Sequence, residues 1–366
     1  MRVIFAGGGT GGHIYPALSL IKKLKHNDPD IEVLFIGSNR GLEKELTQEL
    51  GIPFTSLDVQ GLRRSFSLSN FKTLFKFVDS VSKSKQIIRN FDPDIVVGTG
   101  GYVSAPVLYK AARMKKKTIV FEPNSYPGLT NKLLGKLVTK VAVSNDDAKQ
   151  YFPSSKIVFT GNPRSQEVYE ESLAQKKHQS LKQEIPQVLI FGGSLGALQI
   201  NNAAEEMIRQ HDFKNIKIIF GSGRKYYADK KEILDKLNEK ENVQIKPYIN
   251  NMAELLPNIS LIVSRSGATT IAEITALGVP AILIPSPNVT HDHQTYNAKS
   301  LSNENAAILL PEGELTSKKL YEMIMNLIND HHRLSEMKCK SFSLGERDAA
   351  DRFINLMKEL VGENAY

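Results

Sequence analysis

The sequence predicts an α/β protein made of two Rossmann-like domains in tandem, and three observations carry that expectation. Short β-branched apolar runs alternate with helix-like segments along the chain, the pattern left by parallel sheets whose strands are buried on both faces. The segment Val3-Ile4-Phe5-Ala6-Gly7-Gly8-Gly9-Thr10-Gly11-Gly12 is echoed 185 residues later by Val188-Leu189-Ile190-Phe191-Gly192-Gly193-Ser194-Leu195-Gly196-Ala197. The length, 366 residues, suits about two domains, each able to bury a core without disulfides. Cys339 is the single cysteine, so an internal disulfide is excluded.

The strands can be taken in order. Arg2–Ala6 is a buried strand running into a glycine turn, and its apolar run is too short for a signal peptide. Glu32–Ile36, Ile95–Val97, Thr118–Phe121 and Val141–Val143 continue the first domain, expected over residues 1–162. Gln187–Phe191, Lys217–Phe220, Leu261–Val263 and Ala281–Ile284 build the second, expected over 163–342. The linker is expected within Gly161–Pro186, where Gly-Asn-Pro-Arg precedes a polar, Lys/Gln-rich stretch. No window approaches 18 uninterrupted apolar residues, so a membrane-spanning helix is not expected and a cytoplasmic protein is.

Glycine loops carry the first chemical signal. A strand, a glycine-rich turn and a helix start together gather backbone N–H groups and a helix dipole at one point, which suits phosphate. Gly7, Gly9 and Gly12 match G-x-G-x-x-G, the dinucleotide pattern. That pattern needs an acidic residue at the end of the next strand, yet here the strand ends Gly37-Ser38-Asn39-Arg40. An NADP-dependent oxidoreductase with Arg40 on a 2′-phosphate is therefore one rival reading. A third glycine run, Gly98-Thr99-Gly100-Gly101-Tyr102, also follows a strand. Ligands of open α/β sheets bind at the carboxyl ends of strands. Gly8–His13, Gly98–Tyr102, Glu122–Asn124 and Gly192–Ala197 are accordingly expected to face one cleft.

Other motifs bear on metal and ribose chemistry. Asp-Pro-Asp occurs at 28–30 and 92–94, but each precedes its strand and lies at the wrong end for a cleft metal. His291-Asp292-His293 lacks the spacing of a zinc site. Ser264-Arg265-Ser266-Gly267-Ala268-Thr269-Thr270-Ile271-Ala272-Glu273 follows a strand and opens a helix. Glu273 there either accepts hydrogen bonds from a ribose diol or simply complements the helix dipole. No metal is expected.

Charge is unevenly spread. The net charge is +8, while residues 1–160 alone hold 23 basic and 13 acidic residues. Such a face suits nucleic acid, an anionic membrane or a phosphorylated substrate. A non-catalytic nucleic-acid or membrane binder is the second rival, but it leaves the second glycine loop and Glu273 without a purpose.

Taken together, Gly8-Gly9-Thr10-Gly11-Gly12-His13, Gly100-Gly101-Tyr102-Val103-Ser104, Gly128-Leu129-Thr130-Asn131, Gly192-Gly193-Ser194-Leu195-Gly196-Ala197, Ser264-Arg265-Ser266-Gly267-Ala268 and His293-Gln294 resemble the MurG family. The resemblance runs in order from about residue 2 to at least 300. It implies a GT-B glycosyltransferase fold, with residues 343–366 forming a helix that returns to the first domain. It implies inverting transfer of N-acetylglucosamine from UDP-GlcNAc to the muramoyl C4 hydroxyl of lipid I, giving lipid II, with no cofactor. Donor contacts would come from Thr10, Gly11, Gly12, Asn124, Arg164, Ser194, Ile249, Ala268, Thr269, Glu273 and Gln294. Of these, Ile249 would meet uracil through its backbone, Glu273 the ribose, Ser194 the diphosphate, and Asn124 and Gln294 the sugar. Implied partners are UDP-GlcNAc, lipid I, the anionic inner membrane surface and other cell-wall synthesis proteins, with no nucleic acid. Implied localisation is peripheral, on the cytoplasmic face of the cell membrane. Two departures stand out. Phe121 precedes Glu122 where the family often has histidine, and Thr295 follows Gln294 where it has a second glutamine.

The chemistry fits. The acceptor alcohol needs a base, and His13 at a helix start or Glu122 can serve; the sequence leaves both open. Helix starts and Arg164 can hold the leaving diphosphate. A UDP-GlcNAc epimerase or a glycolipid glycosyltransferase of the same fold is the nearest alternative. For membrane contact, Phe71, Leu74, Phe75 and Val78 make an apolar stripe at helical spacing. Lys72, Lys76, Lys83, Lys85 and Arg89 lie beside or just beyond it, and Arg113, Lys115, Lys116, Lys117, Lys132, Lys136 and Lys140 add a second basic cluster in the same domain.

Overall fold

The computed structural model describes residues 1–39, 41–59, 69–176, 185–193, 196–249 and 251–362, with backbone only at 69–74, 176 and 290. Arg40, Ser194 and part of the expected linker thus lie outside the described residues. So do the side chains of Phe71, Lys72 and Leu74. The chain divides into two compact units. One is Met1–Arg164 plus the segment from Asp348 onward, and the other is Ser165–Arg347.

The first unit holds β1 (Arg2–Gly7), β2 (Glu32–Ser38), β3 (Phe54–Leu57), β4 (Ile95–Gly100), β5 (Lys117–Glu122), β6 (Lys140–Val143) and β7 (Ile157–Phe159). They form one parallel sheet in the order β3-β2-β1-β4-β5-β6-β7. Strand side chains alternate between faces. Val3, Phe5 and Phe35 join one core cluster, and Ile4, Ala6 and Ile36 the other. The first cluster is covered by helix Gly11–Asn27, whose Ile14, Ala17, Leu18 and Ile21 recur at the spacing of one helical face. Helix Ala349–Val361 covers the rest of it with Phe353, Ile354 and Met357. The Phe353 ring meets Phe121 of β5 edge to face at 5.9 Å.

The second unit holds β8 (Gln187–Phe191), β9 (Lys217–Gly221), β10 (Val243–Lys246), β11 (Leu261–Ser264), β12 (Ala281–Leu283) and β13 (Ala307–Leu309). Their parallel order is β10-β9-β8-β11-β12-β13. Both sheets therefore reverse direction beside their first strand, as in a Rossmann sheet.

Two differences from the sequence reading have physical reasons. The strands not singled out in advance, β3, β7, β10 and β13, are the four sheet edges. They run three or four residues and are only partly buried, so no long apolar run marks them. The second unit also extends to Arg347 rather than to 342. Arg347 donates to the carbonyls of Ala276, Gly345 and Phe342, and Ser165 donates to the carbonyl of Glu346. Those bonds fasten the last residues of the segment to its own unit. The second Asp-Pro-Asp pair holds the amino ends of strands: Asp94 accepts from the Arg2 N–H at 2.7 Å, and Asp92 pairs with Lys116 at 2.7 Å.

Candidate functional site

Each unit places its chemistry-bearing loops at its own switch point, where the chain leaves adjacent strands in opposite directions. In the first unit these are the loops after β1 and β4, whose ends pair Gly7 with Gly100. Helix Gly11–Asn27 opens without a side-chain cap or an acidic residue in its first turn, which leaves its dipole for an anion. Thr10 is its N-cap, and Gly11 and Gly12 are its first two residues.

His13 is the third residue of that helix. Its Nδ1 lies 3.2 Å from the carbonyl of Gly8 and 3.5 Å from Thr10 Oγ1. A carbonyl only accepts, so Nδ1 carries the hydrogen and Nε2 keeps the basic lone pair. Gly100 leaves the ring room: its φ is +116°, and a Cβ there would come within 2.9 Å of Nε2. The histidine backbone is pinned too, because Thr99 Oγ1 donates to its carbonyl at 2.6 Å.

At the end of β5, Glu122 is 1% exposed. Its Oε1 accepts from the Asn124 N–H and Nδ2, each at 3.0 Å, and its Oε2 accepts from Asn131 Nδ2 at 2.8 Å. Burial pushes its carboxyl above the ordinary range, and these donors pull it back. Both oxygens are thus committed to fixing Asn124 and Asn131. Arg164, 8% exposed, lies with its guanidinium 5.2 Å from the ring of Tyr15, two residues beyond His13.

The second unit repeats the plan. Gly193, two residues beyond β8, has φ +89°, as Gly9, two residues beyond β1, has +88°. Helix Leu198–Gln210 follows, again uncapped by a side chain and without a first-turn acid. Beside it, β11 leads through Arg265, Ser266 and Gly267 to helix Ala268–Leu277, which is uncapped likewise. Thr269 and Glu273 are one turn apart on this helix and both are buried, Glu273 at 7% exposure. Ile249, just after β10, packs against Gly221 at the end of β9 and the core cluster beneath.

Gln294 is held by its neighbours. Its side-chain carbonyl accepts from the Ser286 N–H at 2.8 Å, and its backbone carbonyl accepts from Ser266 Oγ at 2.7 Å. Asn297 Nδ2 adds a bond to the Ser266 carbonyl at 3.2 Å. Just before them, His291 and Asp292 take φ of 55° and 52°, a costly conformation for residues with side chains. Arg265 pairs with Glu312 and donates to the carbonyls of Ile284 and Pro285, so it braces the loop. The fasteners Asn131, Ser266 and Asn297 were not foreseen from sequence. Their bonds join separate loops and elements, and no local spacing announces them.

Comparison with known proteins adds two matches along the chain. Residues 3–143 match the glycosyltransferase family 28 N-terminal domain, and residues 187–353 match the glycosyltransferase family 28 C-terminal domain. A curated relative from Lactococcus lactis is 49% identical over 360 residues, covering 98% of this chain and 99% of its own. It is named UDP-N-acetylglucosamine--N-acetylmuramyl-(pentapeptide) pyrophosphoryl-undecaprenol N-acetylglucosamine transferase. The crystal structure of MurG from Acinetobacter baumannii superposes with TM-score 0.74 at 27% identity, covering 98% of this chain and 99% of that one. A UDP-GlcNAc 2-epimerase from Neisseria meningitidis, bound to UDP-GlcNAc, shares the fold at TM-score 0.68 and 16% identity, covering 98% and 100%.

Proposed function

This chain belongs to the MurG family within glycosyltransferase family 28 and has the GT-B fold, and we propose that it transfers N-acetylglucosamine from UDP-GlcNAc to lipid I, giving lipid II. The observation that carries the chemistry is the pair of uncapped, glycine-led switch points. One holds an imidazole with Nε2 basic, and the other holds a buried carboxylate one turn into its helix.

The muramoyl C4 oxygen attacks the anomeric carbon of the donor. The bond from that carbon to the diphosphate oxygen breaks, its electron pair leaves with UDP, and the hydroxyl proton passes to a base. Attack opposite the leaving group inverts the anomeric centre. His13 Nε2 is the base in this reading. The bond from Nδ1 to Gly8 supports it, whereas Glu122 is enclosed and has both oxygens engaged. Glu122 acts instead as a positioning residue for Asn124, which meets the donor sugar.

The donor sits on the second unit. Ser194 and the helix starts at Ala268 and Thr269 receive the diphosphate, where N–H groups and dipole favour negative charge. Glu273 accepts from the ribose, the Ile249 backbone meets uracil, and the amide NH2 of Gln294 donates to the sugar. Thr10, Gly11, Gly12 and Arg164 of the first unit complete the anion contacts as charge builds on UDP.

The acceptor is a lipid, and among the described residues no helix is long and apolar enough to cross a membrane. A peripheral face on the first unit meets that need. Phe75, at 76% exposure, and Val78 stand out on helix Ser69–Phe91. Leu129, Leu133 and Leu137 add an exposed row at four-residue spacing along helix Leu129–Gly135 and just past it, with Lys132, Lys136 and Lys140 alongside. Two lysines beside the sequence-based stripe are already paired, Lys76 with Asp58 and Lys83 with Asp79, and Lys116 of the second basic group pairs with Asp92. The anionic surface is therefore met mainly by Lys132, Lys136 and Lys140 beside the leucine row.

The deciding experiment incubates the protein with labelled UDP-GlcNAc, with and without a lipid I analogue. Label should enter lipid only when the analogue is present. Conversion of UDP-GlcNAc without acceptor would overturn transfer in favour of isomerisation.

A further inference from the structure

Glu43 opens the short helix Glu43–Glu49 after β2, and it is 0% exposed. Its Oε1 accepts from the Ser38 N–H at 2.8 Å and from Ser38 Oγ at 2.6 Å. Among the described residues its Oε2 is buried with no hydrogen-bond partner. A half-satisfied carboxylate in the interior is destabilising by itself, so its place calls for a reason other than stability.

The surroundings supply one. A Cβ at Gly8 would overlap the Glu43 carboxylate, a Cβ at Gly37 would overlap its Cγ, and a Cβ at Gly41 would overlap Oε2. The carboxyl group thus fills a space that three glycines leave open, and Gly8 belongs to the loop after β1. The Gly8 carbonyl accepts from His13 Nδ1, and on its other side Gly101 packs so closely that a Cβ there would overlap the Gly8 carbonyl. Gly8 is gripped between Glu43 and the loop after β4.

We propose that Glu43 is a positioning residue for the base. Its carboxylate, tied to the end of β2 through Ser38, wedges Gly8 in the orientation whose carbonyl fixes the His13 ring and leaves Nε2 basic. Glu43 touches no substrate and acts through Gly8. The inference rests on the reading of His13 as base.

The test is a double-mutant cycle on the full chain, read as kcat for transfer, UDP affinity and thermal midpoint. Gly8→Ala drives a methyl into the carboxylate, and Glu43→Ala removes the wedge. Each alone should lower kcat by about 10- to 100-fold, within the range general-base catalysis contributes, with UDP affinity little changed. The double variant should recover at least about tenfold over Gly8→Ala, because contacting residues are coupled. Glu43→Gln, which keeps the shape and an acceptor for Ser38, should regain most of what Glu43→Ala loses. In a His13→Ala background, Glu43→Ala should lower kcat no further.

Simple additivity of the two single variants would overturn the wedge. A loss in the His13→Ala background as large as in the parent would overturn action through His13. A fall in thermal midpoint with kcat unchanged in the folded fraction would leave Glu43 as a fold element and overturn the proposal. If His13→Ala itself keeps normal turnover, the failure lies with the base reading and not with the wedge.

Discussion

His13 owes its chemistry to a single backbone carbonyl. With Gly8 taking the Nδ1 hydrogen, the ring presents Nε2, the nitrogen that takes the acceptor's proton in the proposed reaction. His13→Ala should lower kcat by about 10²–10⁴-fold, the usual yield of general acid–base catalysis, while UDP affinity changes much less. Steady-state rates together with calorimetry on the same variant check both halves, and near-normal turnover would make the histidine structural. Glu273 is the proposed contact to the donor's ribose. Glu273→Ala removes charge-assisted bonds to the ribose worth roughly 1.5–3 kcal/mol, which is about 10–200-fold in affinity. Unchanged UDP affinity in the titration would remove Glu273 from the site. The roles of both are the proposal, but their placement near helix starts was legible in the sequence, because each follows a strand and a glycine. Glu43 was not. It lies past the end of β2 in no glycine or strand-end motif, and only the structure encloses its carboxylate against Gly8.

At the scale of elements, central strands announce themselves and edges do not. β1, β4, β8 and β11 pair on both sides and read as continuous apolar runs, whereas β10, Val-Gln-Ile-Lys, alternates because one face meets solvent. Helix Ala349–Val361 shows what a distant element contributes. It buries Phe353, Ile354 and Met357 against Val3, Phe5 and Phe121, the strands whose ends carry Gly8 and Glu122. Phe353→Ala should destabilise the first unit by about 3–5 kcal/mol, the usual cost of deleting a buried aromatic ring. Chemical denaturation measures it, and a loss under about 1 kcal/mol would mean the helix is dispensable to that core. The UDP affinity of the second unit should survive the change, because none of its donor-loop residues belongs to this cluster.

Over the whole molecule, one topology is used twice: the same strand order reverses at β1 and at β8, and a glycine with φ near +90° lies two residues beyond each. The asymmetry between units lies in their surfaces. Net charge is +10 over residues 1–160 and −2 over the rest, and the exposed Phe75, Leu129, Leu133 and Leu137 all belong to the first unit. Exposed apolar side chains among lysines suit an interfacial anchor, where each basic residue near an anionic surface adds about 1 kcal/mol. The protein should sediment with vesicles containing anionic lipid, less so at high salt, and little with neutral vesicles. Phe75→Ser with Leu133→Ser and Lys136→Glu should abolish sedimentation and leave UDP affinity intact. Lys76 is a poor choice for such a test, since Lys76→Glu would set a second carboxylate beside Asp58. The three chosen side chains are exposed, so the variant should keep its thermal midpoint. Sedimentation that ignores lipid charge would sink the electrostatic part, and a folded triple variant that still binds would move the face elsewhere.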